Sequence, residues 1–231
     1  MFVPVHDDNP LRGITFQYVT LTLVAMNLAM FAWQMFGLPP EAAVEFGVVP
    51  ARLLAGTLTA GTVTLPFDQV GTPPWITLLS YMFLHGDIWH VGTNMLFLWV
   101  FGDNVEDAMG HTRYLVFYLA CGIFAGLAHA ALQPASPVPL IGASGAVAGV
   151  IAAYVLLYPR VMLWVLAFRI IPLRISAGFA IGIWILTQFA MVILPQSGSP
   201  APVAWWAHIG GLVAGAALVL VLRRPGVRLF A

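Results

Sequence analysis

The chain has 231 residues, 61% of them hydrophobic and 8% charged; its nine basic residues are all arginine, and nine acidic residues balance them. An ordinary soluble domain carries about 25% charged and roughly 45–50% apolar residues, so this composition excludes a water-soluble globule and points to a lipid bilayer. Balanced charge and the lack of lysine exclude a basic nucleic-acid surface, a P-loop and Schiff-base or pyridoxal phosphate chemistry. A single cysteine, Cys121, excludes an internal disulfide and a cysteine-built metal centre.

A membrane-spanning helix needs about 20 mostly apolar residues. The pattern predicts an all-α integral membrane domain occupying the whole chain, with spans at about 15–38, 88–107, 114–132, 141–158, 175–194 and 203–222. The first span is too long for a signal-peptide core, and no small-residue cleavage site follows it, so it is read as retained. Pro39-Pro40 stops this span and opens a long loop, 39–87, rich in Gly, Thr and Pro and carrying Glu41, Glu45, Arg52 and Asp68. Loops of this length without obvious structure are usually functional. Val161–Phe168, between Pro159-Arg160 and Arg169, is too short to cross as a helix and is expected at the membrane surface. With both termini in the cytoplasm, eight arginines (12, 113, 160, 169, 174, 223, 224 and 228) fall inside and only Arg52 outside. That division satisfies the positive-inside rule, and odd span counts would spoil it.

Polar side chains inside spans are expensive and mark function by default. They are His90 and Asn94 in the second span, His129 in the third, Ser144 in the fourth, Gln188 in the fifth and His208 in the sixth. The second, fourth and sixth spans all run from outside to inside. At 1.5 Å per residue, His90 and Asn94 lie ~3 and ~9 Å below the outer helix ends, Ser144 ~4.5 Å and His208 ~7.5 Å. Four polar residues from three spans thus share one thin layer. Gly145 and Gly149 flank Ser144, while Gly211 and Gly215 follow His208 on its helix. Small-xxx-small patterns are ordinary membrane packing, but they also let backbones approach closely. Here they would bring Ser144 within reach of His208.

A neutral histidine that takes the serine proton creates a nucleophile. Free amides at the start of the fourth helix can stabilise an oxyanion, and His90 and Asn94, four apart on one face, can add donors. No carboxylate stands at triad spacing: Asp103 is ~20 Å along the helix from His90. A Ser–His dyad is therefore predicted, with His208 oriented by another kind of group. Metal chemistry fits poorly, because His85 and His90 are five apart and no HExxH pair exists. No cofactor or metal is expected. His6 and His111 read as solvated, His129 as structural, and Cys121 as core or lipid-facing.

These residues resemble the rhomboid intramembrane serine proteases. The matching elements are His85-x4-His90-x3-Asn94, Gly142-Ala143-Ser144-Gly145, and Ala207-His208-x-Gly210-Gly211-x3-Gly215, with Phe101-Gly102-Asp103-Asn104-Val105-Glu106 similar to the segment that closes the family's second span. The resemblance implies a six-helix bundle with Ser144 as nucleophile and His208 as base. It further implies an oxyanion hole of His90, Asn94 and the Ser144 amide, with His85, Gly142, Gly145, Gly211 and Gly215 in support. The first loop would be membrane-embedded, and the fifth span would form the substrate gate. Partners would be the bilayer and single-span membrane proteins, cut near the outer ends of their helices, with no nucleic acid. The arginine-only, Ala- and Val-rich composition suggests a bacterial inner membrane. Two features depart from the family: Ala148 stands where some members stack a tyrosine on the histidine, and Ile76, not arginine, follows Trp75. A catalytically inactive relative that only binds membrane clients is the alternative, although such proteins lose the serine or the histidine. A transporter fits less well, since the polar layer lies near one face and no inverted repeat is visible.

Overall fold

The computed structural model describes residues 2–39, 41–55, 57–60, 63–66, 71–167, 170–194 and 204–231. Pro40, Asp68, Phe168, Arg169 and the expected sixth-span start at Val203 lie outside the described residues. Six main helices follow the expected segments: α1 (Tyr18–Phe36), α5 (Ile88–Met109), α6 (His111–Leu132), α7 (Ser144–Leu157), α8 (Ala177–Ile193) and α9 (Trp205–Leu222). Between α1 and α5 lie α2 (Ala42–Phe46), α3 (Pro50–Ala55), α4 (Pro74–Ser80) and a 3₁₀ turn, Tyr81–Phe83. Of the main helices, α1, α6 and α9 are each long and apolar enough to cross a membrane. The others fall short by that measure for visible reasons. Helices α7 and α8 have 14 and 17 residues, and α5 carries the polar His90, Asn94, Asp103 and Asn104 along with Glu106 and Asp107.

The all-α expectation needs correction: the fold is mostly helical but includes β-structure. The N-terminal strand β1 (Phe2–Asp7), β4 (Met162–Ala167) and β5 (Ile171–Ser176) form an antiparallel three-stranded sheet with β4 in the middle. The segment expected at the membrane surface therefore supplies the sheet's centre. Its alternation explains why: Leu163 and Val165 turn inward and are fully buried, while Trp164 is exposed. Asp7 closes β1 and bonds the Tyr154 hydroxyl of α7 at 2.5 Å, and burial raises the Asp7 pKa above the ordinary carboxylate value.

The first loop is also more ordered than its composition suggests. Besides its three short helices it holds a hairpin of β2 (Thr57–Ala60) and β3 (Val63–Pro66). Arg52 organises it from within. The residue is 1% exposed; its Nη1 donates to the Val44 and Glu45 carbonyls at 3.0 and 3.1 Å, and its Nη2 donates to that of Thr72. This buried clamp ties residues 44–52 to the lead-in of α4. Reciprocal backbone bonds between Val48 and Leu140 at 3.0 and 2.8 Å then dock the loop onto the chain entering α7.

At the opposite end of α5, acidic side chains substitute for missing caps. Gln17 gives α1 no side-chain cap. Instead the fully buried Glu106 accepts from the Val19 amide at 2.9 Å, the Thr20 amide at 2.8 Å and the Thr20 hydroxyl at 2.7 Å. His111, expected to be solvated, lies 2.6 Å from the same carboxylate.

Helix α7 is buried along almost its whole length and forms the axis of the bundle. Its contacts with α9 are backbone on backbone. A Cβ on Gly211 would fall 1.9 Å from the Gly145 carbonyl oxygen, and one on Gly215 would fall 2.2 Å from that of Gly149. On the other side, a Cβ on Gly149 would meet Cys121 Sγ of α6 at 2.5 Å. The paired glycines thus interlock as the small-residue spacing predicts.

Candidate active site

Ser144 is the first residue of α7, so its amide belongs to the first turn, whose N–H groups have no intrahelical acceptor. The preceding turn depends on Gly142, whose φ is +116° and whose N–H donates to the Tyr81 carbonyl at 2.8 Å. That φ suits glycine alone, and a Cβ there would lie 2.6 Å from His90 Nε2.

The glycine interlock sets α9 beside α7 so that His208 Nε2 lies 2.9 Å from Ser144 Oγ. Behind it, His208 Nδ1 lies 2.8 Å from Gln188 Oε1 of α8. The Gln188 amide is fixed from its other end, where Nε2 donates to the Trp184 carbonyl at 3.0 Å and to Thr187 Oγ1 at 3.2 Å. Because a carbonyl only accepts, Oε1 must face His208 and Nδ1 must carry the imidazole proton. Nε2 is then bare and accepts the Ser144 hydroxyl.

The aromatic absent at Ala148 is made good elsewhere. Trp184 packs on the buried Ala148–Leu212 cluster with its ring centre 6.4 Å from that of His208, and Trp205 meets the same imidazole edge-on at 5.8 Å.

His90 and Asn94 approach from α5. Asp87 caps this helix by accepting from the Trp89 and His90 amides, both at 2.8 Å. His90 Nδ1 accepts from the Gly86 amide at 3.4 Å, which leaves Nε2–H pointing at Gly142. Asn94 is 6% exposed, and its buried Nδ2 has no hydrogen-bond partner among the described residues; a Cβ on Gly142 would lie 3.8 Å from it. An orphaned buried donor costs about 1–3 kcal/mol unless a ligand uses it. His85 is buried behind these groups, with its ring edge-on to His90 at 5.1 Å. Its Nε2 accepts from the Ala143 amide at 3.5 Å, and Gln34 of α1 bonds its backbone on both sides. Burial, and secondly the neighbouring His90, hold the His85 pKa well below the ordinary imidazole value, so the ring is neutral.

Ser144, His208, His90 and Asn94 line one cavity of about 500 Å³, together with Trp184, Phe97 and Val147. Of the site residues expected from the sequence, Ser144, His208, His90 and Asn94 line this cavity, whereas His85, Gly142, Gly145, Gly211 and Gly215 do not. Gln188, the polar residue of the fifth span, also meets His208. Counted from the outer end of the fifth span, at Leu194, it lies ~9 Å deep, inside the polar layer.

Residues 72–225, more than half of the chain, match the family model described as the Rhomboid domain. The chain belongs to the rhomboid family. It is 37% identical over 158 residues to Rhomboid protease GluP of Bacillus subtilis, a match covering 66% of this rhomboid and 27% of that protein. Rhomboid-type serine protease 2 of Emericella nidulans is 32% identical over 167 residues, or 68% and 29% of the two chains. The mitochondrial RHOMBOID-like protein 12 of Arabidopsis thaliana is 29% identical over 223 residues, covering 89% of this rhomboid and 59% of the plant protein. The chain thus spans little more than a quarter of the first of these relatives and about three-fifths of the last.

Proposed function

We propose that this rhomboid is an intramembrane serine endopeptidase that cuts single-span membrane proteins near the outer ends of their helices. The observation that carries the reading is the relay Gln188 Oε1, His208 Nδ1, His208 Nε2 and Ser144 Oγ, with contacts of 2.8 and 2.9 Å. In the proposed reaction Ser144 Oγ attacks the scissile carbonyl while its proton passes to His208 Nε2. The Ser144 amide, His90 Nε2–H and Asn94 Nδ2 would hold the developing oxyanion. The His208 imidazolium returns its proton to the leaving amine. A water molecule then repeats the sequence on the acyl-serine and frees the enzyme. Gln188 carries no charge, so it fixes the tautomer and ring angle without adding a carboxylate's electrostatic stabilisation. His85 would brace His90 and the Ala143 turn.

The proposed topology is six spans with both termini on the arginine-rich, cytoplasmic side. What supports it is that α5, α7 and α9 all begin at the Ser144 cavity and end among Arg12, Arg224 and Arg228. Helix α7 would cross only because its short, buried length is surrounded by longer neighbours.

The test uses purified protein in detergent with a fluorophosphonate probe and a single-span model substrate. Wild type should take the label on Ser144 and cut the substrate. Ser144→Ala and His208→Ala should each abolish cleavage, and the double variant should be no worse, because the pair acts as a unit. Substantial turnover by Ser144→Ala would overturn the assignment.

A further inference from the structure

A second cavity, of about 570 Å³, lies at the end of the bundle remote from Ser144. Its walls come from the segment before α1, the ends of α5 and α7, and the chain after α9. The 14 residues of α7 alone separate the two cavities by about 21 Å. The volume falls within the roughly 300–1,000 Å³ typical of ligand sites.

Its charge is one-sided. Arg12, Arg224 and Arg228 line it against a single acidic side chain, Asp107. That carboxylate is already engaged by the backbone amides of Arg12, Gly13 and Ile14, at 3.1, 2.6 and 2.7 Å. Arg224 is held in place: Nη1 donates to the Gly13 carbonyl at 3.0 Å and Nη2 to that of Asp107, with the Asp107 carboxylate at 3.6 Å. The other two guanidinium groups are uncommitted. Neither Arg12 nor Arg228 has a side-chain hydrogen bond or ion pair among the described residues, and both are exposed at the cavity rim.

The local chain explains how arginines far apart in sequence meet. Val227 N–H bonds the Arg224 carbonyl at 3.2 Å across Pro225-Gly226, with Gly226 at φ +89°. Proline followed by a left-handed glycine is the signature of a type II turn, and it returns Arg228 to the wall that Arg224 starts. On the far side, Gly13 lets the Arg224 guanidinium lie flat on the 12–14 segment, since a Cβ there would fall 1.9 Å from Nη2.

We propose that this cavity binds a phosphate-bearing anion, either the headgroup of an anionic lipid or free phosphate. Planar guanidinium groups match phosphate oxygens in bidentate geometry, and a net positive pocket at helix ends stands at the depth where headgroups lie. The pocket's charge and walls do not depend on the protease reading.

The experiment strips the full-length protein of lipid in neutral detergent and counts bound adducts by intact-complex mass spectrometry. One arm titrates phosphatidylglycerol against phosphatidylcholine, and the other titrates inorganic phosphate and glycerol phosphate. Wild type should retain one phosphatidylglycerol in preference to phosphatidylcholine. Arg12→Gln/Arg228→Gln should weaken this preference roughly 10- to 30-fold. Both side chains are exposed and unpartnered, so the single variants provide a folded check. Arg113→Gln removes an exposed arginine near the same end but outside the cavity and should leave the preference unchanged. Competition by inorganic phosphate would identify a free-anion site, and its failure to compete would identify a headgroup site. No selective binding by wild type would overturn the proposal. So would an unchanged double variant, or an equal loss in Arg113→Gln.

Discussion

Gly211→Ala should abolish the proposed proteolysis although Gly211 lies outside the Ser144–His208 pair. Its Cβ would sit 1.9 Å from the Gly145 carbonyl oxygen and 2.9 Å from the carbonyl carbon, both backbone atoms that no rotamer change can move. Relief to 3.0 Å, the nearest approach real Cβ atoms make, requires α7 and α9 to separate by about 1.1 Å. Taken along the Ser144–His208 line, that stretches a 2.9 Å contact to about 4 Å, which is no longer a hydrogen bond. A misplacement of about 1 Å costs on the order of 10²-fold in rate, while overpacking costs roughly 1–3 kcal/mol in stability. Substrate turnover, fluorophosphonate labelling of Ser144 and thermal unfolding should therefore be measured together. Rate and labelling should fall at least 100-fold in a protein that still unfolds cooperatively. Gly92→Ala and Gly182→Ala, where an added Cβ meets nothing within 4 Å, should behave as wild type. Wild-type turnover in Gly211→Ala would refute the claim that glycine contact sets the dyad distance.

Asn94→Ala and His90→Ala should each lower kcat roughly 10²–10³-fold, about 3–4 kcal/mol, with little change in KM; steady-state kinetics with both rates intact would make these residues structural. Gln188→Leu should lower kcat and shift its pH profile by releasing the His208 tautomer, whereas Gln188→Glu, which keeps an acceptor, should recover much of the rate; equal activity in the two variants would remove Gln188 from the relay. A substrate whose outermost turns carry Gly, Ser or Pro should be cut faster than one with a uniform Leu span, because a regular helix hides its carbonyls and these residues weaken it, Gly by about 1 and Pro by about 3 kcal/mol relative to Ala. Mass-mapped products should place the cuts near the outer boundary; cuts at the midplane or on the arginine-rich side would contradict the topology.

The six main helices were legible because apolar runs are a strong signal and little in the chain competes with them. Ser144 and His208 stood out for the opposite reason, as polar groups in apolar surroundings with glycines at helical spacing. The sheet was not legible in the same way. Six-residue strands carry weak signals, and β1 pairs with β4 across more than 150 intervening residues, Phe2 opposite Ala167. The role of Arg52 is not legible either: the sequence places it only in the outer loop, and the fold alone reveals three backbone carbonyls around it. His111 reads as solvated in the sequence because its partner, Glu106, is held inward by an α1 that lacks a side-chain cap of its own.

The residue that fixes the His208 tautomer belongs to a helix with a small stake in the core. Among the residues of α8, only Ala177, Ala180, Ile181 and Gln188 are buried, while Phe179, Leu186, Phe189 and Ile193 are exposed. A substrate that enters by pushing α8 outward would carry Gln188 away from His208 as it does so. The open protein would then hold an imidazole free to take either tautomer, and its serine would be a poor nucleophile toward water or passing chains. Reactivity would return only when α8 reseats around a bound segment. Admission and attack would thus exclude each other in time, like a furnace door that must be shut before the flame lights.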